Sequence, residues 1–321
     1  MRRWAVVLSA LTLSVGAASA ATTAIADPPD NDPYTLSDGH AQAGPMGGVV
    51  NARGVNNEGK PGRPGGGSSP NLSYHGGPVQ TATTVKAIFW GTSWASDTSD
   101  KVGGIDTFYG GLTASSDYGK TDSEYTNGSN VHVNPVSTYT GHVLDSSALT
   151  FSGAPSTSVI ANEVVKAIGV SNLVPGGYYP VYVDSARGNA GYCAWHSAAT
   201  TTQGHIEFQF GFFFKLDGDH GCDPNDTSGL HSQGLAALAN VSGHEYSEMV
   251  TDPQLNAWYD QQGNENSDKC AWTFNGLETL AGGTQWLIQG NWSNNAYNSG
   301  IGYTDASKGF QRGCINGNNG T

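Results

Sequence analysis

Residues 244–268 read HEYSEMVTDPQLNAWYDQQGNENSD, and the way this stretch folds decides what the rest of the chain is built around. Ser228 to Val250 holds little that breaks a helix until Asp252-Pro253 stops it, and Thr227 or Ser228 can cap its start. On such a helix His244 and Glu248 share one face with Cβ atoms roughly 6 Å apart, close enough to grip one cation. Glu245 points about 100° further around the axis. It would flank the ion, where a general base for an activated water has to stand. A third ligand must come from outside the helix, and Glu265 and Asp268 follow after a turn-rich link. The spacing predicts a metal-site helix with an acidic loop folded back onto it.

The zincin signature H-E-x-x-H places two histidines around a glutamate, and here Glu248 stands where the second histidine would be. Val250-Thr251-Asp252 and Asn264-Glu265-Asn266-Ser267-Asp268 are similar to the V-T-D and N-E-x-x-S-D runs of thermolysin-type zinc peptidases, the gluzincins, the second run being one residue shorter. That resemblance implies His244, Glu248 and Glu265 as ligands, Glu245 as base, and Asp268 as the carboxylate that orients the His244 ring. One imidazole with two carboxylates is a harder donor set than two imidazoles with one. Zinc is expected, with calcium or manganese as competitors.

A wider resemblance runs from about residue 72 to 314. Tyr74-His75-Gly76-Gly77-Pro78-Val79 with Val85 to Gly91 is similar to the opening of the phosphate-induced protein family that includes EXORDIUM. Gly191-Tyr192-Cys193-Ala194-Trp195-His196, the 250–259 and 264–272 runs and Trp286-Leu287-Ile288-Gln289 resemble its microbial members. The resemblance implies a secreted, wall-associated protein and names no reaction. Two functions follow as expectations: a metal-dependent peptidase acting on peptide or extracellular-matrix substrates, or a non-catalytic wall, matrix or glycan-binding protein. For the latter, Trp258, Tyr259, Trp272, Trp286 and Trp292 are the candidate sugar-stacking rings.

Composition bounds the rest. Arg2 and Arg3, the apolar run Trp4 to Val15 and the A-x-A patterns at Ala18–Ala20 and Ala24–Ala26 read as a secretory signal over 1–26. Its removal takes the formal charge from −13 to −15 through the loss of two arginines. Nucleic acid is excluded as a partner, because its attraction needs clustered positive charge. No later run is long and apolar enough to span a bilayer. Residues 27–71 are rich in Gly, Pro and Asn, ending in Gly59-Lys60-Pro61-Gly62-Arg63-Pro64-Gly65-Gly66-Gly67, and read as a flexible arm. Residues 72–321 are then one globular domain.

Cys193, Cys222, Cys270 and Cys314 suggest two disulfides in an oxidising compartment. Of the three connectivities, Cys193 with Cys222 and Cys270 with Cys314 closes the shorter loops. Val85 to Trp90 and Tyr178 to Val183 read as buried strands. His205 to Phe214 alternates apolar and polar residues and reads as a half-wet strand able to receive an extended substrate. Helical spacing recurs over Val102 to Leu112 and Val159 to Ile168. The fold class expected is α/β or α+β: one disulfide-bonded, mixed-sheet domain around a zincin-like helix. The acidic turn Asp217 to Asp226 could offer oxygen ligands to calcium, but it lacks the twelve-residue loop with its terminal Glu.

Overall fold

The computed structural model describes residues 40–54, 70–114 and 116–317. The signal segment read from the sequence lies outside them. One seven-stranded sheet organises the chain: β1 Ala41–Ala43, β2 Gly47–Asn51, β3 Thr84–Trp90, β4 Thr138–Asp145, β5 Tyr178–Ala186, β6 Tyr192–Thr201 and β7 Glu207–Lys215. Across the sheet the order runs from β1 and β2, which lie end to end along β6, through β6, β7, β5 and β3 to β4. β4, β3, β5 and β7 are mutually parallel; β6 runs antiparallel to β7, and β1 and β2 run antiparallel to β6. The sheet is mixed, as expected.

Helix α2, Thr157–Ile168, covers one face, while α1, Lys101–Leu112, and α3, Gln233–Thr251, cover the other. A sheet clothed on both faces buries its central strands completely, which explains their near-continuous apolar runs. β7 departs here from the expected half-wet strand. Phe208 to Phe214 are all buried, and both backbone edges of β7 are paired, to β5 and to β6. It has no free edge for a substrate.

The second departure concerns the arm. Residues 40–54 are not a flexible tail: Ala41, Ala43, Val50 and Ala52 are buried against β6 and the elements beneath it. Small residues with few apolar atoms read as disorder from composition, yet here they pair along the edge of the sheet and are buried. Residues 55–69 lie outside the described residues.

α3 begins at Gln233, five residues later than expected, because Gly229 takes φ +74 and turns the chain. Ser232 caps it by accepting from the Leu235 N–H at 3.2 Å, and its own N–H and hydroxyl donate to Asp100. The helix ends at Thr251 before Asp252-Pro253, as predicted. α1 survives its glycines because one of them permits a close approach: a Cβ on Gly111 would lie 2.9 Å from the Ala281 carbonyl oxygen and from Leu280 Cβ. Gly111→Ala should therefore lower stability by about 1–3 kcal/mol through overpacking, although helix propensity alone would raise it by about 1 kcal/mol. Urea unfolding measures the sign.

Both expected disulfides are present, Cys193–Cys222 and Cys270–Cys314. No helix among the described residues is long and apolar enough to cross a membrane.

Candidate metal centre

α3 is unusual in being buried along almost its whole length while carrying polar side chains all round. A buried polar group must be hydrogen-bonded, and a buried charge must be paired or must coordinate a cation. Most of the helix obeys. Asn240 accepts from the Gln289 N–H, Ser242 meets the Tyr182 hydroxyl at 2.6 Å, Ser247 accepts from Asn291 at 2.7 Å, and Thr251 donates to the Ser247 carbonyl. Asn240-Val241-Ser242, an N-x-S sequence, is thus inside the protein. Glu245 departs from this rule most, and Asn240 Nδ2 and His244 Nε2 also lack a hydrogen-bond partner. Neither of its carboxylate oxygens has a hydrogen-bond partner, nor has Glu248 Oε2, and both residues are fully buried.

Around these oxygens the fold gathers two histidines and two further acids. His196 comes from β6, facing Gly47 on one side and Gly211 on the other. Its Nε2 lies 3.1 Å from Glu265 Oε2. His244 Nε2 lies 3.0 Å from Glu248 Oε1 and 3.5 Å from Asp268 Oδ1. The Asp268 N–H donates to Glu248 Oε1 at 2.9 Å, and Asp268 Oδ2 accepts from the Glu265 N–H at 3.2 Å. Two sets of potential donors converge, each with its ligand atoms within 4.8 Å of one another: His196 with Glu245 and Glu248, and His244 with Glu248 and Asp268. The five residues expected at a metal site, His244, Glu245, Glu248, Glu265 and Asp268, all lie in or beside this cluster. The grouping differs from the expected one, because Glu265 turns to His196 while Asp268 turns to His244.

The expected role of Asp268 as the group behind the His244 ring also changes. That place belongs to Gln289, whose Nε2 is 3.0 Å from His244 Nδ1. The Gln289 amide has a fixed orientation: its oxygen accepts from the Trp272 N–H at 3.2 Å and its nitrogen donates to the Ser267 carbonyl at 2.9 Å. Its second N–H therefore points at Nδ1, which must accept, leaving the His244 proton on Nε2. An ion on Nε2 would require the amide to turn over and forfeit the Trp272 bond. His196 carries no such constraint, since its Nδ1 has no partner. From the sequence His196 can reach a site but reads as satisfied locally, because a lone histidine on a strand carries no spacing signal. Gln289, far beyond the motif, carried none either.

Electrostatics follow from burial. Desolvation pushes Glu245 well above the ordinary carboxylate value and Glu248, with Asp268 beside it, up to about 7. Desolvation also lowers His196 below the ordinary imidazole value, which suits a neutral ligand. Burial opposes charge on His244, but Glu248 and Asp268 outweigh it and hold that group well above its ordinary value. A second proton there would sit on Nδ1 and would need the same rotation of Gln289. Among the described residues, no Lys or Arg forms an ion pair with Glu245, Glu248 or Asp268.

β2 closes the site from above. A Cβ on Gly48 would lie 2.2 Å from Glu248 Oε2 and 2.4 Å from His196 Nε2. Outside β2, a surface groove of about 390 Å³ is lined by Val49, Asn51, Arg53, Asp268 and Trp272 among others. Only the Asp268 edge of the cluster reaches it.

The other sequence candidates are used elsewhere. Asp217 pairs with Lys101 and Asp219 with Arg187, while Asp223 accepts from the Asn225 N–H, so this turn is pinned by its own partners. Trp286 and Trp292 are buried, and Trp258, Tyr259 and Trp272 are half-buried. No family model, curated protein or solved structure matches the chain.

Proposed function

We propose that this chain is an exported, zincin-like protein that holds a divalent cation, zinc foremost, between β6 and α3, and that the centre is of the metallopeptidase type. The carrying observation is the set of three buried carboxylate oxygens on Glu245 and Glu248 that no donor satisfies. Leaving such groups uncompensated costs several kcal/mol each, as an order of magnitude. A divalent cation is the economical remedy. His196 and Glu248, which converge with Glu245, are assigned as its holders, with Glu265 beside His196 as a further oxygen donor; the first supplies a neutral imidazole and the others oxygen. Glu245 keeps the proton-transfer role, because it stands beside the holders on α3 and burial raises its affinity for a proton. His244 and Asp268 form the outer layer that positions Glu248. An ion bound there would supply Lewis-acid polarisation of a peptide carbonyl and acidify water.

One observation favours a second reading. His196, His244, Glu245 and Glu248 are completely buried, and a hydrolytic centre needs an open position. A structural ion in a non-catalytic wall or matrix protein fits that closure. Metal analysis of the purified protein and of Glu245→Gln, with a chelator-sensitive peptide cleavage assay, separates the two. Metal in both with cleavage lost only in the variant supports the peptidase. Metal in both and cleavage in neither supports the structural ion, and no metal in the native protein sinks both.

A further inference from the structure

We infer that the outer edge of β6 is a strand-acceptor groove for an extended peptide carrying a Gly-Gly pair between small apolar residues, and that the chain's own 41–52 segment is its built-in occupant. With that segment absent, β6 would be the edge of the sheet, since its other side pairs β7. An unpaired edge is a template for an added strand.

The groove has position-specific demands that segment 41–52 meets. Ala41 pairs Thr201 and Ala43 pairs Ala199, Gly44 donates its N–H to the Ala198 carbonyl, and Ser197 donates to the Pro45 carbonyl. Gly47 then opposes His196, Val50 opposes Ala194 and Asn51 opposes Tyr192. Between Gly47 and Val50 the register slips: Gly48 and Val49 span what one residue, Trp195, spans on β6. Gly48 takes φ +47 at this bulge, a conformation that favours glycine. The bulge aims the backbone at the site. A Cβ on Gly47 would lie 2.0 Å from Leu255 Cδ2, and one on Gly48 would enter the space between His196 and Glu248. Any side chain at the second position collides with the candidate ion holders, so the groove selects Gly-Gly by exclusion. Ala41, Ala43, Val50 and Ala52 are buried, which restricts the flanks to small or β-branched apolar residues.

A segment that passes over a buried cluster of acids and imidazoles, and is tied down mainly through its backbone, is placed as a substrate-like strand would be. A peptide of that class can take its place only by displacing it. This inference rests on the proposed function solely for the consequence at the ion, which is slow exchange while β2 is seated.

The test uses the full chain. In Ala43→Asp/Val50→Asp two buried anchors of the segment become charged, and no residue of the cluster is touched. A fluorescent synthetic peptide, AQAGPMGGVVNA, should bind this variant at least tenfold more tightly than the native chain, and the same peptide with Gly48→Val should not bind. Equal binding to native and variant chains, no binding to either, or equal binding of the Val peptide would overturn the inference. Should the variant fail to fold, hydrogen exchange on the native chain decides. Amides of residues 47–51 should exchange well before those of β7, and exchange only through global unfolding would make β2 a fixed part of the core and overturn the proposal. Stripping of zinc by a chelator should be at least tenfold faster in the folded variant. Absence of zinc in both chains defeats the metal reading while leaving the peptide result intact.

Discussion

In the presence of a chelator, the thermal unfolding midpoint should fall as the pH rises from about 5 to 8, and excess zinc should reverse that slope. The sign follows from proton counting. Burial lifts Glu248 to about 7 and Glu245 in the same direction, so over this range the native state holds protons that the unfolded chain has already released. Unfolding free energy then decreases with pH. For Glu248 alone the loss is on the order of 3 kcal/mol across the window. His196 works the other way, because burial keeps it neutral and its contribution grows as pH rises through the ordinary imidazole value. Glu163 and Glu278, raised by burial to about 8 and about 7, add to the downward slope away from the site. Glu248→Gln removes the Glu248 share of the slope, while Glu245 and His244, both also raised, remain in the variant. A cation binds the deprotonated carboxylates, so its stabilisation increases with pH, and at a concentration a thousandfold above Kd it amounts to about 4 kcal/mol. Calorimetry at pH 5, 6.5 and 8, with and without zinc, reads both effects. Identical slopes for native and Glu248→Gln chains, with no zinc shift, would remove the basis for a cation centre.

What the sequence showed of this site was its local part. His244, Glu245 and Glu248 are fixed by helical spacing, and Glu265 and Asp268 by a short return loop, so their meeting needs no long-range information. Their division between two histidines does need it. His196 reaches the cluster only because β6 lies over α3, and β6 lies there because β7 is sandwiched between it and β5. Gln289 sets the His244 tautomer through bonds to Trp272 and Ser267, a network that no periodicity announces. The arm fails for a related reason. Ala, Gly and Pro cannot sustain a strand alone, and residues 41–51 are strands only because β6 offers them an edge. β7 was legible as a strand by its alternation, but the number of its wet faces is decided by neighbours distant in sequence.

The two disulfides should differ in what they do for the site. Each closes a loop, of 29 and 44 residues in sequence separation, and the chain-entropy account gives about 4 kcal/mol for either. Removing either pair should thus cost stability by a similar amount, about 2–5 kcal/mol. Their neighbours differ. Cys193 precedes His196 on β6, whose position is set independently by pairing with β2 on one side and β7 on the other. Cys270 ends the short helical turn Asp268–Cys270 and follows Glu265 and Asp268 in a loop that is no strand of the large sheet and is otherwise tied by hydrogen bonds of Asn266 and Ser267 to Trp292, Asp122, His244 and Asn291. That loop supplies Asp268 to one donor set and places Glu265 against His196 of the other. Cys270→Ser/Cys314→Ser should therefore weaken zinc binding at least tenfold in a competitive chelator titration at a temperature where the protein is still folded. Cys193→Ser/Cys222→Ser should lose comparable stability and bind zinc within about threefold of the native chain. Equal affinity losses in the two double variants would mean that the Glu265–Asp268 loop is positioned by the overall fold, and that the Cys270–Cys314 link does no more for the centre than for the rest of the protein.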